Sequence, residues 1–151
     1  MQRIYLDNAA TTAIRPEVVD EMANVMKNVF GNPSSTHVFG REAKALIEMS
    51  RKNIAQRLNV SPAEIYFTSC GTESNNTIIR SCVNDLDVTR IITTDMEHKC
   101  VQESVKTEEY KGNVEVIRLN IFKDGNIDYT QLEELLKDQS KKTLVSLMHA
   151  N

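Results

Sequence analysis

Apolar residues recur at helical spacing in the first part of the chain. After Pro16, which can occupy the first turn of a helix, they return every three or four residues up to Phe30. A second helical pattern runs from about Thr36 or His37 to Leu58. Between the two, the stretch GNPSS carries the glycine and proline that interrupt helices. We therefore predict two helices separated by a short loop.

From Glu64 onward, short β-branched runs alternate with helical patterns. The predicted strands are EIYFTS, RIITTD, VEVIRLN and KTLVSLMHA, and the predicted helices are GTESNNTIIRSCV, EHKCVQESVKTEEY and YTQLEELLK. DGNID is predicted to be a turn, Thr130 the cap of the last helix, and Glu133 its capping-box partner. This alternation is typical of an α/β fold, with a mostly parallel sheet and helices on both faces.

Composition narrows the class of protein. The chain has 151 residues, of which 40% are hydrophobic and 26% charged, as in ordinary globular domains. A formal net charge of −3 gives no electrostatic reason to expect nucleic acid. We find no apolar run of membrane-spanning length, no secretion signal and no zinc-type cysteine spacing. Three cysteines fit reduced thiols, so a cytoplasmic protein without a metal site is expected.

The stretch FTSCGTESNN changes from strand-like to helical within ten residues. A strand that leads through small residues into a helix leaves backbone N–H groups unpaired, and those groups attract phosphate. Gly71 would let the backbone approach a ligand, and Thr72 would add a hydroxyl donor. A helix start capped without any ligand explains the same residues, and both interpretations stay open.

Two further strand ends carry polar residues at the same predicted edge of the sheet. His98 follows the strand RIITTD, and His149 and Asn151 follow the last strand. A single histidine in such a place is often a cap or a surface residue. Because the carboxyl ends of parallel strands form the usual ligand site, however, we predict that these residues converge.

The three cysteines are predicted to be small packing residues. Cys70 lies close to a helix start, which could lower its pKa, whereas Cys82 falls in an apolar helical stretch. Cys100 is placed in the first turn of its helix. None of the three has a sequence context that identifies it as a nucleophile.

Six short stretches occur in an order that resembles one family. YLDNAATT, FGNPSSTHVFGREA, IYFTSCGTESNN, TDMEHKCV, DGNID and LVSLMHAN closely resemble the NifS-like cysteine desulfurases. These are class V members of the fold-type I pyridoxal-phosphate enzymes. The resemblance runs from Tyr5 to Asn151 and implies the large domain of that fold. It also implies pyridoxal 5'-phosphate as cofactor and L-cysteine as substrate, with sulfur passed on as a persulfide for iron–sulfur cluster assembly or thiolation.

The resemblance also implies roles for individual residues. Gly71 and Thr72 would cradle the cofactor phosphate. His98 would stack on the pyridine ring and assist proton transfer, and Asn151 would lie beside the phenolic oxygen and the substrate. His37 belongs to a family stretch but receives no role.

The same resemblance divides the chain. Residues 1–15 would form a segment at the active-site mouth, with Asn8 and Ala9 on the substrate side. Residues 16–151 would form the N-terminal part of the cofactor-binding large domain.

Other parts of the family pattern are not found in the sequence. The lysine that attaches the cofactor, the nucleophilic cysteine, and the partners of the pyridine nitrogen and the substrate carboxylate would all follow Asn151. The chain is therefore expected to be an N-terminal portion, inactive alone, of an enzyme that forms homodimers and meets sulfur-acceptor or scaffold proteins. Two alternatives remain: another class V enzyme, such as a selenocysteine lyase or an aminotransferase, and a truncated binding module without catalysis.

Overall fold

The computed structural model describes residues 4–8 and 10–149, and the chain divides into two compact units, residues 1–67 and 68–151. The first unit contains helices α1 (Pro16–Asn28) and α2 (Val38–Leu58) and a 3₁₀ turn (Pro62–Glu64). The second contains α3 (Gly71–Asn84), β1 (Arg90–Thr93), α4 (Lys99–Tyr110), β2 (Glu115–Arg118), α5 (Tyr129–Lys137) and β3 (Thr143–Val145). None of the described helices is both long and apolar enough to cross a lipid bilayer. The assignment of residues 1–15 to an active-site mouth and of residues 16–151 to a larger domain stays a prediction.

The helices of the first unit begin and end close to the predicted residues. Pro16 occupies the first position of α1, where its missing N–H costs nothing. His37 caps α2, and its Nδ1 accepts a hydrogen bond from the Gly40 N–H at 3.4 Å. The left-handed residue Asn59, with φ 55°, ends α2. These signals confirm the helix boundaries expected for this part of the chain.

The loop between α1 and α2 packs closely through two glycines. A Cβ atom at Gly31 would lie 2.2 Å from the Phe39 carbonyl oxygen, and one at Gly40 would lie 2.4 Å from the Ser35 carbonyl oxygen. Real Cβ atoms essentially never come nearer than 3.0 Å to such neighbours. Both positions therefore require glycine, and GNPSS acts as a fixed corner.

Three parallel strands form the sheet of the second unit, in the order β2-β1-β3. In β1, Ile91 pairs with Val116 on one side and Leu144 on the other. Ile91 and Ile92 are both 0% exposed, as expected for a central parallel strand. The predicted α/β class with a parallel sheet is confirmed, and the crossovers through α4 and α5 follow the predicted alternation.

Helices cover both faces of this sheet. On the face of Ile91, residues from α3 and α4 form the core; its members are Ile79, Val83, Val88, Ile91, Val101, Val105 and Val114. Arg90 and Ile92 point to the other face because side chains alternate along a strand. There, Leu135 of α5 lines a cavity with Arg90 and Ile117. The buried Arg90 guanidinium also meets Asp138 and Thr143 beyond that helix.

The predicted strand EIYFTS does not form. Ile65 has extended backbone angles, φ −100° and ψ 121°, yet the segment pairs with no strand among the described residues. Arg51 binds it instead, since its Nε donates to the Ile65 carbonyl at 3.2 Å and its guanidinium lies 5.1 Å from the centre of the Phe67 ring. Tyr66 stays 83% exposed. The β-branched and aromatic residues predicted a strand correctly in conformation, but a strand also needs a partner. The other predicted strands form with shorter ends.

The cap predicted for the last helix is also wrong. Asp128, not Thr130, is the N-cap of α5, and its Oδ1 accepts a hydrogen bond from the Gln131 N–H at 2.9 Å. The helix begins two residues earlier than the Thr130 cap implied, because aspartate is a strong capping residue and Asp128 is the last residue of the DGNID turn. That turn is confirmed, with Gly125 at φ 85° and a bridge between Ile121 and Ile127.

The corrected cap leads to a stability prediction. Replacing Asp128 with alanine should lower the free energy of unfolding by about 1 kcal/mol, because the Gln131 N–H loses its acceptor. Thr130→Ala is the matched control and should change it by less than about 0.5 kcal/mol, since Thr130 is exposed inside the helix. Urea unfolding followed by circular dichroism measures both. A larger loss in Thr130→Ala than in Asp128→Ala would contradict the assignment.

Candidate active site at two helix starts

The start of α3 presents backbone N–H groups without a side-chain cap. Cys70 is the N-cap in extended conformation and makes no capping hydrogen bond from its side chain. The first intrahelical bond runs from the Ser74 N–H to the Cys70 carbonyl at 3.2 Å. The N–H groups of Gly71, Thr72 and Glu73 precede that bond and have no acceptor within the helix, so an anion can bind there. Those of Glu73 and Thr72 also act on the Cys70 thiol.

Glu73 holds the turn before α3 in shape. Its Oε2 accepts hydrogen bonds from the Ser69 N–H at 2.7 Å and from the Ser69 hydroxyl at 2.6 Å. These donors, the hydroxyl first, lower the pKa of the Glu73 carboxyl. Thr68 and Ser74 add a bond between their hydroxyl oxygens at 2.7 Å. The carboxylate is thereby engaged with Ser69, and the turn that leads into the helix is braced from both sides.

Cys70 is exposed, which corrects the prediction that it packs. The backbone N–H of Glu73 and then the Ser69 hydroxyl lower the pKa of its thiol. Cys82 and Cys100 are half-buried against the α3–α4 core, as predicted.

The start of α4 is built around His98. His98 is the N-cap of this helix, and its Nδ1 accepts a hydrogen bond from the Cys100 N–H at 3.2 Å. Gln102 reaches back to the preceding loop, since its Nε2 donates to the carbonyl oxygens of Asp95 at 2.9 Å and Glu97 at 2.7 Å. The imidazole is exposed, and the helix holds it through Nδ1, while Gln102 holds the loop before it.

Two asparagines join the starts of α3 and α4. Asn75 Nδ2 donates to Cys100 Sγ at 3.3 Å. Asn76 Nδ2 donates to the Thr72 carbonyl at 2.9 Å, and its Oδ1 accepts from the Ser104 hydroxyl at 2.6 Å. Sequence reasoning gave no role to these residues, because it does not reveal which face of one helix meets the next. The sequence signal for such a role is the pair of adjacent amide side chains, Asn75 and Asn76, in the stretch ESNN.

One cavity of about 460 Å³ brings the two helix starts together. Thr72 and His98, both predicted site residues, line it. Arg80 and Lys99 add positive charge along its walls, and Glu103 adds negative charge but also pairs with Lys106 at 3.2 Å. The predicted convergence of the α3 start with His98 is therefore seen in the structure.

This arrangement fits the phosphate and ring of a pyridoxal cofactor. A Cβ placed on Gly71 would meet no atom within 4 Å, so open space lies before the backbone where a ligand would approach. Uncapped N–H groups, the exposed Thr72 hydroxyl and a helix dipole favour a phosphate there. His98 offers a flat aromatic ring on the same cavity. The residues present therefore match the group that the sequence resemblance implies.

His149 lies in a different cavity. This second cavity, of about 430 Å³, is lined by Thr94 at the end of β1, by Tyr129 at the start of α5 and by His149 after β3. The predicted convergence of His149 with the end of β1 is observed, and His98 lines the first cavity. Asn151 lies outside the described residues, so its role stays a prediction.

The remaining predicted residues belong to the first unit. Asn8 occupies an exposed turn, next to Asp7, whose carbonyl accepts from the Ala10 N–H at 3.2 Å. Ala9 lies outside the described residues. The roles of both on the substrate side stay predictions. His37, which received no role, has a structural one as the cap of α2.

Comparison with known proteins places the chain in a family. The family model described as aminotransferase class-V matches residues 4–151. The chain therefore belongs to the class V aminotransferase family.

Similar sequences and similar solved structures point to the same group of proteins. Cysteine desulfurase IscS of Dictyoglomus turgidum is 41% identical over 99% of this chain and 38% of its own length. A solved NifS-like protein superposes with a TM-score of 0.87 at 40% identity, covering 99% of this chain and 41% of that one. A structure described as SspA in complex with cysteine gives a TM-score of 0.84 at 31% identity, over 97% of this chain and 42% of that one. This chain thus spans about two fifths of the length of these relatives.

The lowered pKa of Cys70 leads to a reactivity prediction. Hydrogen bonds to the thiolate favour loss of the proton, so Cys70 should be alkylated by iodoacetamide at lower pH than cysteine in the denatured chain. Ser69→Ala should move the profile part of the way upward, whereas Thr77→Ala, an exposed hydroxyl on the same helix, should leave it in place. Mass spectrometry of the modified peptides gives the rates. Identical profiles for native and denatured chain would refute the effect.

Proposed function

We propose that this chain is the N-terminal portion of a pyridoxal-phosphate-dependent cysteine desulfurase. In this proposal the whole enzyme converts L-cysteine to L-alanine and passes the sulfur on as a persulfide to acceptor or scaffold proteins. The main support is the similarity to cysteine desulfurases over nearly the whole chain, together with Thr72 and His98 on one cavity. A cytoplasmic location and a homodimer of the whole enzyme belong to the same proposal.

The residues of this chain would bind and orient the cofactor. The N–H groups of Gly71 and Thr72 and the Thr72 hydroxyl would hold its phosphate at the start of α3. The imidazole of His98 would lie against its ring and exchange a proton with the substrate at Nε2, the nitrogen that the α4 backbone leaves unused. When bound, the cofactor supplies the electron sink for reactions at the substrate carbon that bears the amine.

The 151-residue chain alone is expected to bind the cofactor without catalysis. No lysine in it has the sequence context that the resemblance associates with covalent attachment, and the nucleophilic cysteine of the family would follow Asn151. The isolated chain would therefore supply the phosphate cradle and the histidine, while the remaining groups would come from the rest of the enzyme. Asn151, Asn8 and Ala9 would complete the substrate side.

Cofactor binding by the isolated chain is the first test. In equilibrium dialysis, Thr72→Ala should weaken binding of pyridoxal phosphate at least about tenfold, because one hydrogen bond to a charged group is lost. Thr72→Ser keeps the hydroxyl and should bind as the parent chain does, and Thr77→Ala is the matched threonine control. Pyridoxal without the phosphate should bind weakly to all four chains.

The same experiment includes a check on covalent attachment. After borohydride treatment and denaturation, the cofactor should separate from the chain. Stoichiometric attachment to one lysine would contradict the expectation that the attaching lysine comes from the rest of the enzyme. Equal binding by Thr72→Ala and the parent chain would contradict the phosphate site.

Activity is tested by a chimeric enzyme. Residues 1–151 replace the matching segment of the Dictyoglomus turgidum desulfurase, whose sequence is 41% identical. With a dithiol such as dithiothreitol present to reduce the persulfide, the chimera should form alanine and sulfide from L-cysteine, and the isolated chain should form neither. His98→Ala should lower kcat about 100-fold or more, the usual contribution of a proton-transferring group, while Thr77→Ala should not.

The chimera also separates the alternative enzymes. A folded chimera that binds pyridoxal phosphate but acts only on selenocysteine, or that transaminates cysteine without releasing sulfide, would overturn the desulfurase proposal. Alanine and 3-mercaptopyruvate, the keto acid that transamination of cysteine would give, are measured separately for this purpose.

A further inference from the structure

A half-buried thiol contacts the site histidine. Cys100 Sγ lies 2.9 Å from His98 Nδ1, and the Cys100 N–H meets the same nitrogen at 3.2 Å. On its other side, Cys100 Sγ accepts a hydrogen bond from Asn75 Nδ2 at 3.3 Å. The three side chains therefore form a continuous contact from α3, through the first turn of α4, to the imidazole.

The positions of the thiol hydrogen and the imidazole proton follow from which neighbouring groups can only donate a hydrogen bond. An asparagine amide N–H can only donate, so Cys100 Sγ accepts from Asn75. A backbone N–H also can only donate, so His98 Nδ1 must be unprotonated where it accepts from Cys100. The thiol hydrogen can then be donated to the same Nδ1, which lies 2.9 Å from Sγ. In the neutral imidazole the ring proton must consequently lie on Nε2.

We propose that Cys100 and Asn75 are positioning residues for His98, and that they fix its ring orientation and its Nε2–H tautomer. Asn75 directs the thiol, and the thiol together with the α4 backbone holds Nδ1. The inference rests on the proposed function for its purpose, because it makes Nε2 the nitrogen that faces the cofactor and substrate with a proton to donate. Its geometric basis, in contrast, lies wholly in residues of this chain.

The surroundings support a positioning role over simple packing. Cys100 lies at the edge of the α3–α4 core, where an apolar residue of similar size would pack equally well. Its sulfur instead meets polar partners on two sides. The Ser104 hydroxyl shares its hydrogen between Asn76 Oδ1 at 2.6 Å and the Cys100 carbonyl oxygen at 2.7 Å, so the turn that carries the thiol is itself held to α3.

The experiment measures the tautomer of His98 directly in the 151-residue chain. Two-bond ¹H–¹⁵N spectra of the imidazole are recorded at about pH 7.5, where an ordinary imidazole is largely neutral and an ordinary thiol keeps its proton. The parent chain should show a pyridine-type Nδ1 and a pyrrole-type Nε2. Cys100→Ala should lower the ratio of the Nε2–H to the Nδ1–H tautomer by roughly threefold, the loss of one weak hydrogen bond. Asn75→Ala should lower it less.

Two further variants separate positioning from packing. Cys100→Ser keeps a donor at this place and should restore the parent ratio, although it changes the size and polarity of the side chain. Cys82→Ala is the matched control, because Cys82 packs against the same core without a hydrogen bond to His98, and it should leave the ratio unchanged. The backbone amide spectrum verifies that each variant is folded.

Equal tautomer ratios in the parent, Cys100→Ala and Asn75→Ala chains would overturn the inference. A loss in Cys100→Ala that Cys100→Ser fails to restore would also overturn it, because the thiol would then act by packing. No cofactor is present in these measurements, so their outcome is separate from that of the pyridoxal phosphate binding test. A failure of cofactor binding would leave the tautomer result standing, and the reverse also holds.

Discussion

The burial of β1 is the constraint on which the second unit depends. Both neighbouring strands pair with it, and its isoleucines, Ile91 and Ile92, are closed to solvent on opposite faces. Because β1 pairs in parallel with both neighbours, each connection must run back to the other end of the sheet, and here α4 and α5 make these crossovers. The starts of α4 and α5 then fall at the carboxyl edge of the sheet. The location of the site follows from the burial of four residues, Arg90 to Thr93.

Local patterns in the sequence predict much of this fold, and the errors have a common cause. Helical spacing, Pro16 and the left-handed Asn59 act within a few residues of themselves, so the helices of the first unit are predictable. The segment containing Tyr66 and Phe67 has strand-forming residues, but whether it becomes a strand depends on a distant partner. Thr130 was wrong for a smaller reason, since Asp128 is an equally good cap two positions earlier.

The candidate site shows the same division between local and distant information. The positions of Gly71, Thr72 and His98 at helix starts could be predicted, because the beginnings of α3 and α4 are visible in the sequence. Thr72 and His98 line one cavity as expected, but the groups that hold them there were not foreseen. Asn75 and Gln102 act through contacts to another helix or to a loop, and their partners are chosen by the angle at which elements cross. Sequence patterns carry little information on such angles.

Asn75 and Asn76 hydrogen-bond to α4 at two residues one helical turn apart, Cys100 and Ser104. Sliding α4 along α3 by a single residue would move every contact by about 1.5 Å, and turning it by one residue would rotate the contacts by about 100°. Either displacement separates both amides from their partners together. The two contacts between the helix starts are therefore either both made or both lost. A strain in the core beneath the two helices would therefore separate α4 from α3 in one step rather than shift it gradually.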